Sequence, residues 1–202
     1  MPTLKIVQVG DPVLRAVADA VPDEMIGTPG FEMLVTLMRD TMREAPGVGL
    51  AAPQIGESVR IVVIEDAPAY HTSMTAEEAA ARERAAVPYH VLVNPVLTID
   101  PAEIVDAFEG CLSFDGFLMM VPRARTVTVN ALDEHGKPFT RTATGWYARI
   151  LQHEVDHLNG IVCCDRMDPR TLMTVQNHGR RWRGMPVAEV REALNAPRKG
   201  AS

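Results

Sequence analysis

The chain has 202 residues, of which 47% are hydrophobic, and carries a formal net charge of −6 at neutral pH. This length predicts one globular domain, and no apolar run approaches the roughly 20 residues that a bilayer requires, so we expect no membrane contact. The acidic balance argues against direct nucleic-acid binding by overall charge. The first residues lack a signal or transit pattern, and the odd count of three cysteines favours reduced thiols. We therefore expect a cytoplasmic protein, bacterial in the first instance, with a processed organelle protein as the alternative.

The pattern of apolar residues predicts helices and short strands along the chain. A short helix is predicted over residues 11–18, an amphipathic helix over residues 29–44, and a glycine-rich loop over residues 47–56. Strands are predicted at residues 60–65, 91–96, 103–108, 125–132 and 139–143. Further helices are predicted at residues 145–158 and 187–195, with a short helical piece after Asp168.

The succession of short strands indicates antiparallel pairing rather than repeated βαβ units. The predicted fold class is therefore α+β, with antiparallel or mixed sheets packed around the helix at residues 145–158. Residues 66–89 are interpreted as an insertion, and its Ala-rich, charged helix after Thr75 is expected to lie on the surface. We expect the last seven residues to be disordered.

The most informative stretch is His153-Glu154-Val155-Asp156-His157. On a helix, residues four apart lie on the same face about 6 Å along the axis, so the two imidazoles can bind one metal ion. Glu154 lies beside the first ligand, where its carboxylate can reach a water without occupying a coordination position. The pattern predicts a hydrolytic metal site on this helix.

A catalytic site of this kind usually has three protein ligands, so a third ligand must come from elsewhere. Glu189 and Glu192 lie downstream, but on a helix that is predicted to be peripheral. Cys163 reproduces the metzincin protease spacing, with Cys in place of the third His. Cys111, in Glu109-Gly110-Cys111-Leu112-Ser113, lies at the end of a predicted strand.

Three motifs in order resemble those of the peptide deformylase family. They are the loop Gly47-Val48-Gly49-Leu50-Ala51-Ala52-Pro53-Gln54, the strand end Glu109 to Ser113, and the helix stretch Gln152 to His157. The resemblance extends over most of residues 5–170 and implies a deformylase-like fold. It also implies that Cys111, His153 and His157 hold the metal, which favours Cys111 over Cys163.

The resemblance implies a hydrolase that removes the formyl group from the N-terminal methionine of new proteins. Glu154 would move the proton, and the Gln54 side chain and the Leu112 backbone N–H would stabilise the oxyanion. Gly49 and Gly110 would pair with the substrate backbone. Val48 and Ile150, beside His153, would line the methionine pocket, and Glu109 would act near the ligands or the substrate.

A Cys-His₂ site is suited to Fe²⁺, Zn²⁺, Co²⁺ or Ni²⁺, and the family resemblance implies Fe²⁺ in the cell. The implied partners are formyl-methionyl nascent peptides, with the ribosome exit region as a further candidate. Residues 1–176 would form the catalytic domain and residues 177–202 a partly helical extension. Two alternatives stay open: a metzincin-like peptidase using Cys163, and a metal-binding module without catalysis.

Overall fold

The larger of two sheets has five antiparallel strands in the order β1-β2-β3-β6-β7, and the smaller has three in the order β4-β5-β8. This computed structural model describes residues 3–72 and 74–196. The strands are β1 (Gly49–Ala51), β2 (Ile61–Asp66), β3 (Val87–Ile99), β4 (Ile104–Cys111), β5 (Phe114–Ala124), β6 (Thr126–Leu132), β7 (Pro138–Thr144) and β8 (Met173–Thr174). The helices are α1 (Pro29–Glu44), α2 (Ala76–Ala81), α3 (Gly145–Leu158), α4 (Val175–Arg181) and α5 (Val187–Asn195). The α+β class and the antiparallel pairing are as predicted.

β2 is buried on both of its faces, which explains its continuous apolar run. Ile61 and Val63 pack with α1 in one core cluster, and Val62 and Ile64 pack with α3 in the other. Side chains alternate between the two faces of a strand, so a strand covered on both sides must be apolar at every position. The stretch His153–His157 on α3 is thereby fixed against the sheet.

Both long helices have the predicted bounds, and each has a local reason to begin where it does. The Thr28 side chain caps α1 by accepting a hydrogen bond from the Phe31 N–H, and Pro29 occupies the first turn. Gly145 starts α3 with φ +61, a conformation that L side chains rarely adopt. Gly160, just after α3, has φ +70, and a Cβ there would lie 2.8 Å from the Arg15 carbonyl carbon. A glycine is therefore required at that position by both conformation and space.

Some elements differ from the prediction. The helix predicted at residues 11–18 is a single 3-10 turn, Pro12–Arg15, because Ala16 returns to an extended conformation with ψ 147. Strand β5 and helix α4 were not predicted at all. Disorder was expected for residues 196–202. Of these, only Ala196 belongs to the described residues, and the others lie outside them. Among the described helices, none is long and apolar enough to cross a membrane.

Candidate metal centre

Three side chains from two distant parts of the chain meet where β4 ends. Cys111 ends β4, and His153 and His157 lie one turn apart on α3. Their ligand atoms all lie within 4.8 Å of one another, and the Cys111 Sγ is 3.3 Å from His157 Nε2. Tetrahedral coordination with ordinary zinc–sulfur and zinc–nitrogen bonds places such atoms roughly 3.5 Å apart. The donor set and its spacing therefore fit a divalent metal ion.

The two imidazoles are held in different ways. His153 Nδ1 is 2.9 Å from Glu109 Oε2, which leaves Nε2 to face the other ligands. Burial lowers the pKa of His153, but the hydrogen bond to Glu109 and the carboxylates nearby outweigh it and raise the pKa to about 9. Burial, with the charge of His153, lowers the pKa of His157 well below its ordinary value. His157 is thus neutral and ready to bind a metal.

Glu109 belongs to a buried network of charges under the ligands. Its two oxygens accept hydrogen bonds from Arg123 at 3.0 and 3.1 Å, and Oε1 also accepts one from Arg149 at 2.6 Å. Asp156, on α3, pairs with Arg123 and with Arg166. Burial would raise the pKa of Glu109, but His153 and Arg123 outweigh it and hold that pKa well below its usual range. Glu109 therefore stays ionised and keeps His153 oriented.

Glu154 is buried beside the ligands, with 4% of its surface exposed. Its Oε2 has no hydrogen-bond partner among the described residues. Burial raises the pKa of Glu154 to about 7, against the lowering effect of His153. A carboxylate with a pKa near neutrality can both take and give a proton, which suits acid–base chemistry at that pH.

Gln54 is fixed by both ends of its amide. Its Oε1 accepts the Ala51 N–H at 2.9 Å, and its Nε2 donates to Ser113 Oγ at 3.3 Å and lies 3.7 Å from Cys111 Sγ. These contacts aim the amide N–H₂ group at the ligand cluster. The Leu112 carbonyl accepts a hydrogen bond from Gln8 Nε2 at 2.9 Å, which ties the strand end to the N-terminal segment.

A cleft of about 350 Å³ opens over the ligands between the two sheets. One side is formed by Gly47, Val48 and Gly49 and the other by residues 109–112, with Ile150 on α3. β1 and β4 are the edge strands of their sheets, and the register shift between Glu109 and Cys111 leaves Gly110 out of the pairing with β5. Among the described residues, the outer edges of β1 and β4 are therefore unpaired, and both face the cleft.

Cys163 lies next to the site without joining the ligand set. Its side chain packs with Cys111 in an apolar cluster that also contains Met119 and Val121. Within the described part of the chain, the only group of metal-ligating side chains close enough to share an ion is Cys111, His153 and His157. The geometry thus favours Cys111 as the third ligand, and nothing in it favours Glu189 or Glu192.

Residues 3–172 match the model of the family described as Polypeptide deformylase. The chain belongs to this family. It is 47% identical to peptide deformylase 1A, chloroplastic/mitochondrial, of Arabidopsis thaliana over 86% of this chain and 64% of that protein. It is 45% identical to the chloroplastic 1A protein of Solanum lycopersicum, over 85% of this chain and 62% of that one. The chain therefore spans somewhat under two thirds of the length of these two plant relatives.

Solved deformylase structures share the fold. A class I type b peptide deformylase from Acinetobacter baumannii with bound Met-Ala-Ser has a TM-score of 0.73 and 30% identity, over 82% of this chain and 99% of that one. The Thermotoga maritima peptide deformylase has a TM-score of 0.67 and 34% identity, over 84% of this chain and 100% of that one.

Several site residues were missed in the sequence. Arg123 and Asp156 complete the network under the ligands, and Trp146 and Arg84 line the cleft. No sequence signal pointed to a place at the site for Trp146, on the predicted helix at residues 145–158, or for Arg84, in the predicted insertion. An arginine close to the apolar run Leu118–Val121 was the available signal for Arg123, because a lone charge in a buried strand usually has a buried partner.

Proposed function

We propose that this protein hydrolyses the formyl group from the N-terminal methionine of newly made polypeptides and releases formate. The observation that carries the proposal is the meeting of one thiol, two imidazoles and an unpartnered buried carboxylate in a single cleft of a deformylase-family chain. The Acinetobacter relative was solved with Met-Ala-Ser bound, which supports a peptide beginning with methionine as the ligand class.

Cys111, His153 and His157 would hold the ion, and Fe²⁺ is our proposal for the cell, with Zn²⁺, Ni²⁺ or Co²⁺ as substitutes. A divalent ion bound there supplies Lewis acidity, which lowers the pKa of a water molecule and polarises a carbonyl. Glu109 acts on this chemistry through His153, since both of its oxygens are taken by Arg123, Arg149 and His153. We therefore assign Glu109 to positioning the ligand rather than to binding the substrate.

Glu154 would act as the proton carrier. Its free Oε2 accepts the proton of the attacking water, and the same carboxyl then delivers it to the amine that leaves. The raised pKa of Glu154, about 7, keeps both protonation states accessible at neutral pH. One water molecule is consumed, the C–N bond of the formyl amide breaks, and the products are formate and a free N-terminal amine.

Gln54 and Leu112 would stabilise the negative oxygen of the tetrahedral intermediate. The Gln54 amide is held by Ala51 and Ser113 before the substrate arrives, so its donation costs little reorganisation. The Leu112 N–H follows the ligand Cys111 directly and would be the second donor.

The substrate would lie as an added strand between β1 and β4. Gly49 and Gly110 offer backbone groups on the two sides, and such pairing reads the backbone rather than the side chains of the peptide. Val48 and Ile150, beside His153, would receive the first side chain. This mode of binding suits an enzyme that acts on many different chains.

We further propose that residues 1–176 form the catalytic domain and residues 177–202 an extension of it. Relatives include a human mitochondrial protein and chloroplast and Streptomyces proteins, so the proposed location is a compartment where translation starts with formyl-methionine. Contact with the ribosome exit region remains a prediction that follows from the nature of the substrate.

The experiment is anaerobic purification, metal analysis, and an assay of formate release from formyl-Met-Ala-Ser. Glu154→Gln should retain the metal and the fold and lose about 10²–10⁴-fold in turnover, because it removes the proton carrier alone. Absence of formate release from the iron-loaded wild type would overturn the proposal. If the wild type and Glu154→Gln have the same stability and the same metal content and neither turns over the substrate, the metal site is structural.

A further inference from the structure

The end of the 66–89 insertion packs directly on the first turn of α3. A Cβ on Gly145 would lie 2.8 Å from the Glu83 carbonyl oxygen and closer still to the Glu83 Cβ. Arg82 and Arg84, on either side of Glu83, place their guanidinium carbons 5.4 and 5.3 Å from the centre of the Trp146 ring. The insertion therefore reaches the site through Trp146, although most of it is exposed.

Arg84 is anchored to the core. Its Nε and Nη2 donate to the two oxygens of Asp66 at 2.7 and 2.8 Å, and Asp66, at the end of β2, is fully buried. His71 Nε2 lies 3.0 Å from the same carboxylate. A two-point arginine–carboxylate bond in a buried setting fixes the guanidinium in position as well as in charge. The cation over the Trp146 ring is thus held by a strand of the five-stranded sheet.

Trp146 lines two cavities. One is the cleft over the ligands, which Arg84 also lines; the other is a groove of about 600 Å³ bounded by α2, β4 and the C-terminal helices. The indole Nε1 is buried and has no hydrogen-bond partner among the described residues. No hydrogen bond therefore fixes the indole, and its orientation depends on packing and on the cations against its ring.

We propose that the Asp66–Arg84 pair, acting through Trp146, determines which first side chain the substrate cleft accepts. The inference rests on the proposed function. With Arg84 in place, Trp146 closes the end of the pocket that begins at Val48 and Ile150, and a slender unbranched side chain fits. Without it, the ring can shift toward the groove behind it, and the pocket becomes deeper and less selective. The insertion is then part of the substrate site.

The test compares formyl-Met-Ala-Ser with formyl-Phe-Ala-Ser in wild type and Arg84→Met, a substitution that removes the charge and keeps most of the volume. In Arg84→Met we expect the ratio of kcat/KM for the methionine substrate to kcat/KM for the phenylalanine substrate to fall about tenfold. For the methionine substrate, KM should rise and kcat should stay nearly the same. Because Arg84→Met leaves Asp66 buried beside His71 alone, the double variant Asp66→Asn/Arg84→Met is made as well, and the same fall in the ratio is expected.

The matched control is Arg43→Met. Arg43 makes the same two-point bond to Glu65, at 2.6 and 2.9 Å, and Glu65 directly precedes Asp66 on β2. Arg43 itself does not line the cleft. Its substrate ratio should equal that of the wild type. An Arg84→Met protein with the wild-type ratio, or an Arg43→Met protein with the same fall as Arg84→Met, overturns the inference.

A double-mutant cycle tests the route through Trp146. Trp146→Ala should lower the ratio by itself, and adding Arg84→Met in that background should change it no further. An equal effect of Arg84→Met in both backgrounds would mean that Arg84 acts on the substrate directly, and the route would be wrong. Wild type without formate release on either peptide would refute the proposed function instead, so the two failures are distinguishable.

Discussion

The Glu154 carboxylate occupies the space where Gly49 would carry a side chain. A Cβ on Gly49 would lie 2.6 Å from Glu154 Cδ and 2.8 Å from Cγ, and closer still to Oε1. Gly49 is therefore needed for a close approach between β1 and α3, and its φ is not in the left-handed region. The same contact places the proposed proton carrier at the edge strand that would bind the substrate.

Gly49→Ala should displace Glu154 and lower formate release about 10²-fold or more, because proton transfer needs the carboxylate within hydrogen-bond reach. The metal content should not change, since no ligand moves. The matched control is Gly30→Ala in α1, where a Cβ meets nothing within 4 Å. Its activity should equal that of the wild type, and a fully active Gly49→Ala protein would contradict the prediction.

Replacing Cys111 and Cys163 one at a time should show which of the two neighbouring thiols binds the metal and which one only packs. Cys111→Ser should lose the metal on purification, because a serine hydroxyl is a much poorer ligand than a thiolate for these ions. Cys163→Ser should keep it, at some cost in stability, since Cys163 is buried among apolar side chains. Metal analysis and thermal unfolding of both variants provide the measurement. The opposite pattern would revive the metzincin-like arrangement.

Metal binding should depend steeply on pH. In the metal-free protein the pKa of His153 is raised to about 9, and the hydrogen bond with Cys163 and burial raise the pKa of the Cys111 thiol well above its usual value. Both groups carry a proton at pH 7, and a bound ion must displace both, so affinity rises with pH. His157 contributes no proton, because its pKa is lowered.

We expect about two protons to be released per Zn²⁺ bound between about pH 7 and 8, and the apparent affinity to rise by up to about 100-fold over that unit. Calorimetry in two buffers with different ionisation enthalpies measures the proton count directly. A release near zero would show that the ligands are already deprotonated in the metal-free state.

Glu109→Gln should weaken metal binding about 10–100-fold by removing the charged acceptor of the His153 Nδ1–H. Competition with a chromophoric chelator measures the affinity. Glu65→Gln is the control, because Glu65 pairs with Arg43 away from the ligands. An unchanged affinity in Glu109→Gln would mean that the orientation of His153 does not depend on this carboxylate.

Arg123→Met should destabilise the fold by about 3–5 kcal/mol, because Glu109 and Asp156 would lose their shared buried partner. Arg125→Met, two residues along, should leave the free energy of unfolding nearly unchanged, since the side chain of Arg125 is exposed in its pairs with Glu83 and Glu103. Urea unfolding of both variants measures the difference. Equal effects would contradict the argument from burial.

Local sequence was sufficient for the two long helices. Apolar spacing predicted the bounds of α1 and α3 correctly, because this signal acts within one or two turns. Strand β5 was not predicted because Asp115-Gly116 resembles a turn and Pro122 interrupts the apolar run that follows. β8 pairs only with Phe117 and Leu118, so Pro122 lies where β5 has a single neighbour and a missing N–H is tolerated.

The order and spacing of three short motifs were sufficient to show which family the chain resembles, and that resemblance implied which three side chains would hold an ion. Those signals are local, because they depend on helix periodicity and on the chemistry of single residues. Only the tertiary structure decided what surrounds the ligands. The contacts of Arg123 with Glu109 and Asp156, and of Arg84 with Asp66 and Trp146, join residues far apart in sequence. Such pairs leave no periodic pattern, since burial and packing in three dimensions select them.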